Sequence, residues 1–114
     1  MDPNERMQML DDKKRRLSNK NDEYKELIKK RAQAEYDYSV AFAEKLIAER
    51  MDGTPITVAK ELAKGNKVVA KLKLDYEIQI GVERACLESM KDIREAIGAD
   101  RSILTWLREE KGNG

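Results

Sequence analysis

Lysine and arginine are concentrated near the start of the chain, where they could neutralise phosphates. Residues 13–31 hold nine Lys or Arg against three Asp or Glu. A patch of this kind binds nucleic-acid backbones with an affinity that falls steeply as salt rises. The alternative is an ordinary solvated helix face, because Asp11 and Asp12 lie four residues before Arg15 and Arg16 and can pair with them. The candidate binding residues are Lys13, Lys14, Arg15, Arg16 and Lys20.

A second group of basic side chains surrounds a predicted junction between helices. Five lysines between residues 60 and 73 are opposed only by Glu61. The third helix is predicted to begin at Asn66 and Lys67, where free backbone N–H groups and the helix dipole attract anions. A phosphate or an acidic protein segment is the expected ligand, and solubility alone is the alternative explanation. The candidate contacts are Lys64, Lys67 and Lys71.

Residue types suited to catalysis or metal binding are scarce. The chain has no histidine and one cysteine, Cys86. This composition excludes Cys-rich zinc sites, intramolecular disulfides and Ser-His-Asp or Cys-His catalysis, and Cys86 is expected to be an inert buried thiol. Glu88 and Asp92 share a helix face and could hold a divalent ion, although pairing with the basic first helix is the simpler explanation. We expect no cofactor, no metal site and no enzymatic activity.

Aromatic side chains could stack on nucleic-acid bases if they lay exposed among basic residues. Four of them fall instead on apolar stripes and are expected in the core: Tyr24, Tyr38, Phe42 and Tyr76. Tyr36 lies off the stripe between Glu35 and Asp37, which favours a protein contact over a phosphate contact. Trp106 is either a terminal core anchor or an interface residue.

Two segments of roughly 45 residues must position these groups. Residues 1–52 and 66–110 carry helix-type apolar spacing with almost no breakers. At about 1.5 Å per residue, each helix would be on the order of 65 Å long. The sequence therefore predicts an all-α, elongated helical hairpin in a single domain, with helices at about 3–52, 55–64 and 67–110 and a bundle completed by oligomerisation.

The helix ends have recognisable capping residues. Asp2 is predicted to cap the first helix, and Gly53 suits a left-handed C-cap at its other end. Thr54 is the expected N-cap of the short helix. Gly65 is expected to close the short helix, and Asn66 to cap the third helix.

The third helix carries a sustained apolar seam. Nine of twelve positions spaced three and four apart are apolar, which is typical of coiled-coil packing. The seam comprises Val69, Leu72, Tyr76, Gln79, Glu83, Cys86, Met90, Ile93, Ile97, Asp100, Leu104 and Leu107. Because this register passes through Gly98, we favour one continuous helix; a break, with Asp100 capping a terminal helix, is the alternative.

The first helix supplies its core residues mainly from its second half. These residues are Tyr24, Leu27, Ile28, Ala34, Tyr38, Ala41, Phe42, Leu46 and Ile47. Met7, Leu10 and Leu17 alone interrupt the charged run before them. In an antiparallel hairpin, these three would form a thin cluster with Leu104, Trp106 and Leu107.

A second stripe on the third helix is rich in small residues, which let another helix approach closely. The short helix, with Ile56 and Leu62, could cover the part nearest the turn but could not reach Ala96 or Ile103. We therefore expect a homo-oligomer, with a dimer favoured. Its predicted interface comprises Ile78, Val82, Ala85, Ser89, Ala96, Ala99, Ile103 and Trp106.

Charge and hydropathy limit the partners further. Lys plus Arg number 23 and Asp plus Glu 22, so there is no global basic excess. The N-terminus lacks an apolar run of signal-peptide length, and no segment approaches the roughly 18 apolar residues of a membrane span. We expect no membrane association and a reducing cytoplasmic location.

A helix end, a Gly and Pro turn, an ELAKG segment and the residues V-A-K-L-K follow one another in the middle of the chain. The segment that contains them reads AFAEKLIAERMDGTPITVAKELAKGNKVVAKLKLDYE. Residues 38–107, which contain it, resemble small helical early or accessory proteins of bacteriophages and prophages of Gram-positive bacteria. The resemblance implies a bacterial host cell and a gene cluster for replication, recombination or defence evasion. It supplies no catalytic motif.

These observations predict a noncatalytic, phage-type accessory protein that binds nucleic acid or a nucleoprotein complex through its local basic surfaces. One alternative is an anti-CRISPR-like inhibitor of a host defence effector that acts by protein–protein binding, with the acidic side of the third helix mimicking phosphate. The other alternative is a homo-oligomeric structural spacer without a ligand.

Overall fold

The computed structural model describes residues 2–113 as three α-helices. They are α1 (Pro3–Met51), α2 (Ile56–Gly65) and α3 (Lys67–Asn113), and no β-strand occurs within the described residues. The predicted all-α class, with two long helices joined by a short one, is confirmed. No helix in this part of the chain is long and apolar enough to cross a membrane.

The ends of α1 are fixed by local hydrogen bonds. Asp2 caps the first turn, because its Oδ1 accepts the N–H of Glu5 at 2.8 Å. At the other end, Gly53 has φ +86°, a left-handed conformation that favours glycine. The N–H groups of Gly53 and Thr54 donate to the carbonyls of Arg50 and Glu49 at 3.0 and 3.1 Å. This Schellman arrangement satisfies carbonyls of the last turn of α1.

The capping of α2 differs in part from the prediction. Pro55 occupies its N-cap position without a side-chain cap bond. Thr54, the expected N-cap, instead donates its hydroxyl to Glu49 at 3.2 Å. Gly65 is the last residue of α2, as expected, but it has no left-handed conformation, and Asn66 follows it in extended geometry. The prediction that Asn66 caps α3 is correct, since its Oδ1 accepts two N–H groups of that helix at 3.0 and 3.1 Å.

The seam of α3 is buried or half-buried at all twelve predicted positions. The helix continues through Gly98 without a break. Glycine has a low helix propensity, but a single glycine can remain helical where neighbouring residues are packed. Packing along the seam therefore accounts for one long helix in place of two.

The chain divides into two compact units. Within the described residues, the first unit combines α1 up to Lys25 with α3 from Arg84, and the second comprises Glu26–Glu83. The organisation into a single domain stays a prediction.

The first unit is an antiparallel pair of helix segments around a small apolar core. Leu10, Ile93 and Ile97 form the buried cluster, and Leu17 and Leu104 pack against it. Across the same helix pair, Lys13 contacts Asp100 at 2.6 Å, and the Sγ atom of Cys86 lies 3.7 Å from the carbonyl oxygen of Lys20. Cys86 is buried, as predicted.

The second unit adds α2 to an antiparallel pair of segments from α1 and α3. Arg31 contacts Glu83 at 2.8 Å. The ring of Tyr38 packs edge-on against Phe42 and stacks on Tyr76, with ring centroids 6.2 Å apart in both pairs. The unit buries Leu27, Ala59, Ala63 and Val69. Since α2 contributes only two alanines to this core, its larger apolar side chains are left outside.

Candidate functional site

The predicted basic surface near the start of α1 is largely engaged in ion pairs. Lys13 pairs with Asp100 across the helix pair at 2.6 Å, and both side chains are largely buried. Arg15 pairs with Asp12 at 3.4 Å. Lys20 pairs with Glu23 at 3.1 Å. The structure therefore gives Lys13 a packing role that the charge pattern did not indicate.

Two residues of that basic run retain free charges. Lys14 and Arg16 are exposed, and neither forms an ion pair with a residue in the range 2–113. The surface available to a phosphate backbone is consequently smaller than the five predicted residues suggest. Of the five predicted residues, Lys14 and Arg16 are the two whose charges are exposed and unpaired within that range.

The second predicted basic group is also partly neutralised. Lys64 pairs with Glu61 at 3.6 Å, and Lys71 pairs with Asp75 at 3.0 Å. Lys67 is exposed and unpaired among the described residues. The Asn66 side chain already occupies two of the N–H groups at the start of α3. These N–H groups are therefore not available to a phosphate.

A small cavity of about 200 Å³ lies beside this junction. Its walls are formed by Tyr38, Lys64, Val69, Ala70, Lys73, Leu74 and Glu77. The two ammonium groups favour an anion, but the Glu77 carboxylate in the same wall opposes one. The cavity therefore does not form a purely basic pocket.

The second stripe of α3 is uncovered in the second unit. Leu74, Ile78 and Val82 are 48%, 50% and 41% exposed. They follow one another at intervals of four residues, so they lie along one helix face. We call these three residues the α3 stripe. The alternative account, in which α2 covers the beginning of this stripe, is wrong, because α2 faces the core with Ala59 and Ala63 while Leu62 is itself exposed.

Gly81 lies beside the α3 stripe in the interior of the helix. A Cβ atom added there would meet no other atom within 4 Å. The residue is helical and has no positive φ. Neither packing within the described residues nor backbone geometry therefore requires glycine, although glycine costs roughly 1 kcal/mol relative to alanine in a helix.

The predicted interface residues of the first unit differ in exposure. Ala85, Ala99, Ile103 and Trp106 are exposed, whereas Ser89 and Ala96 are half-buried. Trp106 is 59% exposed, so it is not a terminal core anchor. Of its two predicted roles, only the interface role fits its position.

A second apolar stripe, on α1, was missed by the sequence prediction. Tyr36, Ile47 and Met51 are 64%, 58% and 82% exposed, and Val40 and Ala43 are exposed between them. We call these five residues the α1 stripe. Their spacing of four, three, four and four residues is a regular helical pattern and could have been recognised. Ile47 was assigned to the core, but it lies half a helix turn away from the residues that face α3.

The predicted cluster near the chain ends is only partly formed. Leu10 and Leu17 join the core, but Met7 is exposed. A cavity of about 400 Å³ opens here between the two helix ends. It is lined by Pro3, Met7, Leu104, Leu107, Arg108, Glu110 and Lys111. This cavity is an open gap between the beginning of α1 and the end of α3.

Two ionisable groups have clearly shifted pKa values. The hydrogen bond to Glu83, reinforced by its charge, raises the pKa of Arg31. The pKa of Glu49 is lowered, first by its hydrogen bond from Lys45 and also by the Thr54 hydroxyl. Both groups have structural partners, and neither lines either of the two cavities described above. The shifts therefore indicate ion pairs within the fold and give no support to a catalytic site.

Metal binding finds no support in the described part of the chain. Residues 2–113 contain no group of three or more Cys, Asp or Glu side chains that could hold a metal ion. Glu88, half of the predicted carboxylate pair, contacts Lys91 at 3.7 Å. An ordinary ion pair within one helix accounts for it.

No protein-family model matches this chain, and comparisons with curated proteins and with solved structures find no significant match. The resemblance to small phage proteins stays a prediction.

Proposed function

We propose that this chain is a noncatalytic helical protein that acts by binding another protein chain, with the α3 stripe as its contact surface. The observation that supports the proposal is the exposure of Leu74, Ile78 and Val82 in one row. The defence-inhibitor and structural-spacer alternatives are both forms of this proposal, because each requires a protein contact.

The energetic basis of the proposal is the apolar surface that its own chain leaves uncovered. Fully burying a Leu, Ile or Val side chain stabilises a structure by about 1.5–3 kcal/mol. The three side chains are about half exposed, so a partner that covered them would gain roughly 1 kcal/mol from each. Contiguous apolar patches on a monomer are typical of interaction surfaces.

Gly81 gives the contact a specific geometry. Glycine lets two helix backbones approach closely, and no atom within 4 Å of the position requires glycine inside this chain. A helix is therefore the partner element that best fits the surface.

Photo-cross-linking tests this proposal. A benzophenone amino acid is placed at Ile78, and at exposed Ala48 as the control, in cells that express the chain. We expect a discrete adduct from position 78 that is absent from position 48 and disappears when Leu74 and Val82 are both changed to Glu. The absence of any adduct from position 78 would contradict the proposal.

Nucleic-acid binding is a second candidate, supported by the free charges of Lys14 and Arg16. It is the weaker candidate because five of the eight predicted basic residues already have acidic partners. Two phosphate contacts would give only a shallow dependence of affinity on salt.

The test of the second candidate compares Lys14→Gln/Arg16→Gln with Arg15→Gln in binding to single- and double-stranded nucleic acid at several salt concentrations. We expect the double variant to bind more weakly at low salt and to reduce the salt slope by about two. Arg15→Gln, which removes a side chain already paired with Asp12, is expected to have the smaller effect. Equal binding by wild type and the double variant would exclude this surface.

A further inference from the structure

We infer that the partner of the α3 stripe is a second copy of this chain, and that the α3 stripe packs on the α1 stripe of that copy in a head-to-tail arrangement. This inference rests on the proposed function, because it identifies the protein that the α3 stripe contacts. Every residue of both stripes belongs to the second unit, Glu26–Glu83.

The two stripes face away from the core of that unit. Arg31 and Tyr38 mark the side of α1 that contacts α3. At 100° per residue, Tyr36 and Ile47 lie nearly opposite that side. The α3 stripe likewise lies well over 90° around its helix from Tyr76 and Glu83. One chain therefore cannot bring its own two stripes together, but two copies can.

The charges beside the stripes are complementary. Residues 36–51 of α1, which span its stripe, hold three Asp or Glu against two Lys or Arg, whereas residues 67–82 of α3 hold three Lys against two Asp or Glu. After ion pairs within the described residues are set aside, the charges that remain beside the α1 stripe are those of Asp37, Glu44 and Arg50. Beside the α3 stripe, the charges without an ion-pair partner in this part of the chain are those of Lys67, Lys73 and Glu77. The net charge is therefore −1 beside the α1 stripe and +1 beside the α3 stripe, and this difference in sign favours contact between unlike stripes over contact between like stripes.

The complementarity selects a head-to-tail contact over pairing of like surfaces. If two α3 stripes paired with each other, both α1 stripes would stay exposed. A head-to-tail contact covers one stripe of each kind and leaves one of each kind for the next copy. Such heterologous contacts produce rings when the rotation closes and filaments when it does not.

Mixing two single-surface variants tests the inference. Ile47→Glu damages only the α1 stripe, and Ile78→Glu damages only the α3 stripe. Both positions are exposed, so helicity measured by circular dichroism should be unchanged. Ala48→Glu adds the same charge to α1 outside the stripe and is the control.

Sedimentation velocity over a concentration series gives the readout. We expect wild type and Ala48→Glu to assemble beyond a dimer, and each stripe variant alone to associate at least about tenfold more weakly, because an unpaired carboxylate would be buried. The mixture of the two stripe variants should form a 1:1 heterodimer, since one intact stripe of each kind remains.

Three outcomes would overturn the inference. Ile47→Glu could assemble like wild type, which would indicate pairing between α3 stripes alone. The mixture could remain monomeric while wild type assembles. Wild type could be monomeric, which would exclude a second copy while cross-linking from Ile78 still tests whether a different protein is bound.

Discussion

Arg31 on α1 donates from Nε to Oε2 of Glu83 on α3 over 2.8 Å, and Glu83 is one of the polar residues of the α3 seam. Lys13 on α1 likewise donates from Nζ to Oδ2 of the seam residue Asp100. A seam carboxylate shielded from water needs such a partner, because burying an unpaired charge is costly. The charged positions of the seam therefore fix which residues of α1 lie beside them in each unit.

The Arg31–Glu83 pair predicts a measurable effect on stability. Glu83→Gln leaves the guanidinium with a weaker partner across the helix pair and should lower the Tm. Glu26→Gln removes the partner of Lys29 in a pair that is more than half exposed on both sides. Exposed pairs contribute little. Thermal unfolding followed by circular dichroism should show a clearly larger decrease for Glu83→Gln, and equal decreases would contradict the packing role of the pair.

Gln79 is the polar residue of the α3 seam that has no partner on the described part of α1, unlike Glu83 and Asp100. Its buried Oε1 accepts no hydrogen bond from any described residue. An unsatisfied buried acceptor costs about 1–3 kcal/mol, so Gln79→Met, which keeps the length of the side chain, should raise the free energy of unfolding by about 1 kcal/mol. Gln33→Met is the matched change on an exposed side chain, where Gln33 bonds Asp37, and should stay within about 0.5 kcal/mol of wild type. Urea titration checks both, and a destabilised Gln79→Met would show that the oxygen is satisfied in solution.

The fold could be predicted largely from local chemistry. Asp2 and Asn66 are correct N-caps because their side-chain oxygens act on N–H groups two or three residues away. The prediction for Thr54 is wrong because its role depends on a neighbouring element. Thr54 bonds back to Glu49 at the end of α1, an interaction that no rule for the start of α2 can anticipate.

The candidate surfaces were harder to predict because charge and exposure depend on tertiary partners. The sequence shows Lys13 within a basic run but does not show that Asp100, far along the chain, neutralises it. Ile47 carries the residue type of a core position, and its helical spacing to the other residues of the α1 stripe is the one feature of the sequence that places it on the outer face. The α3 stripe could be recognised because it lies on a different face of the helix from the seam, with the same helical spacing.

Gly81→Ala should have opposite effects on folding and on association. The added methyl group meets nothing within 4 Å, so alanine fits without strain. Its higher helix propensity should raise the free energy of unfolding by about 1 kcal/mol. If a partner helix packs closely at this position, the same methyl group should weaken association.

Gly53→Ala is the matched contrast because Gly53 has φ +86°. Alanine there should destabilise the chain by about 1 kcal/mol or more. Urea titration at low protein concentration measures folding, and sedimentation at higher concentration measures association. An increase in association for Gly81→Ala would argue against close approach of a helix.

Glu49 should make the end of α1 sensitive to acid. Lys45 lies 2.9 Å from one carboxylate oxygen, and the Thr54 hydroxyl donates to the other at 3.2 Å. These contacts lower the pKa of Glu49 below its ordinary value of 4.5. Folding therefore makes the carboxylate harder to protonate, so its contribution to stability is fully present above that ordinary value and is lost as the pH falls through the lower, folded-state pKa.

The expected result is a pH-dependent difference between wild type and Glu49→Gln. Wild type should have the higher Tm at pH 6 to 7, and the difference should shrink as the pH falls below the ordinary pKa of 4.5. Lys45→Met removes the main cause of the pKa shift, so the Glu49→Gln change in that background should produce a much smaller difference. A difference that stays constant down to pH 3, or one that survives Lys45→Met unchanged, would show that the ionised Glu49 carboxylate does not stabilise this helix end.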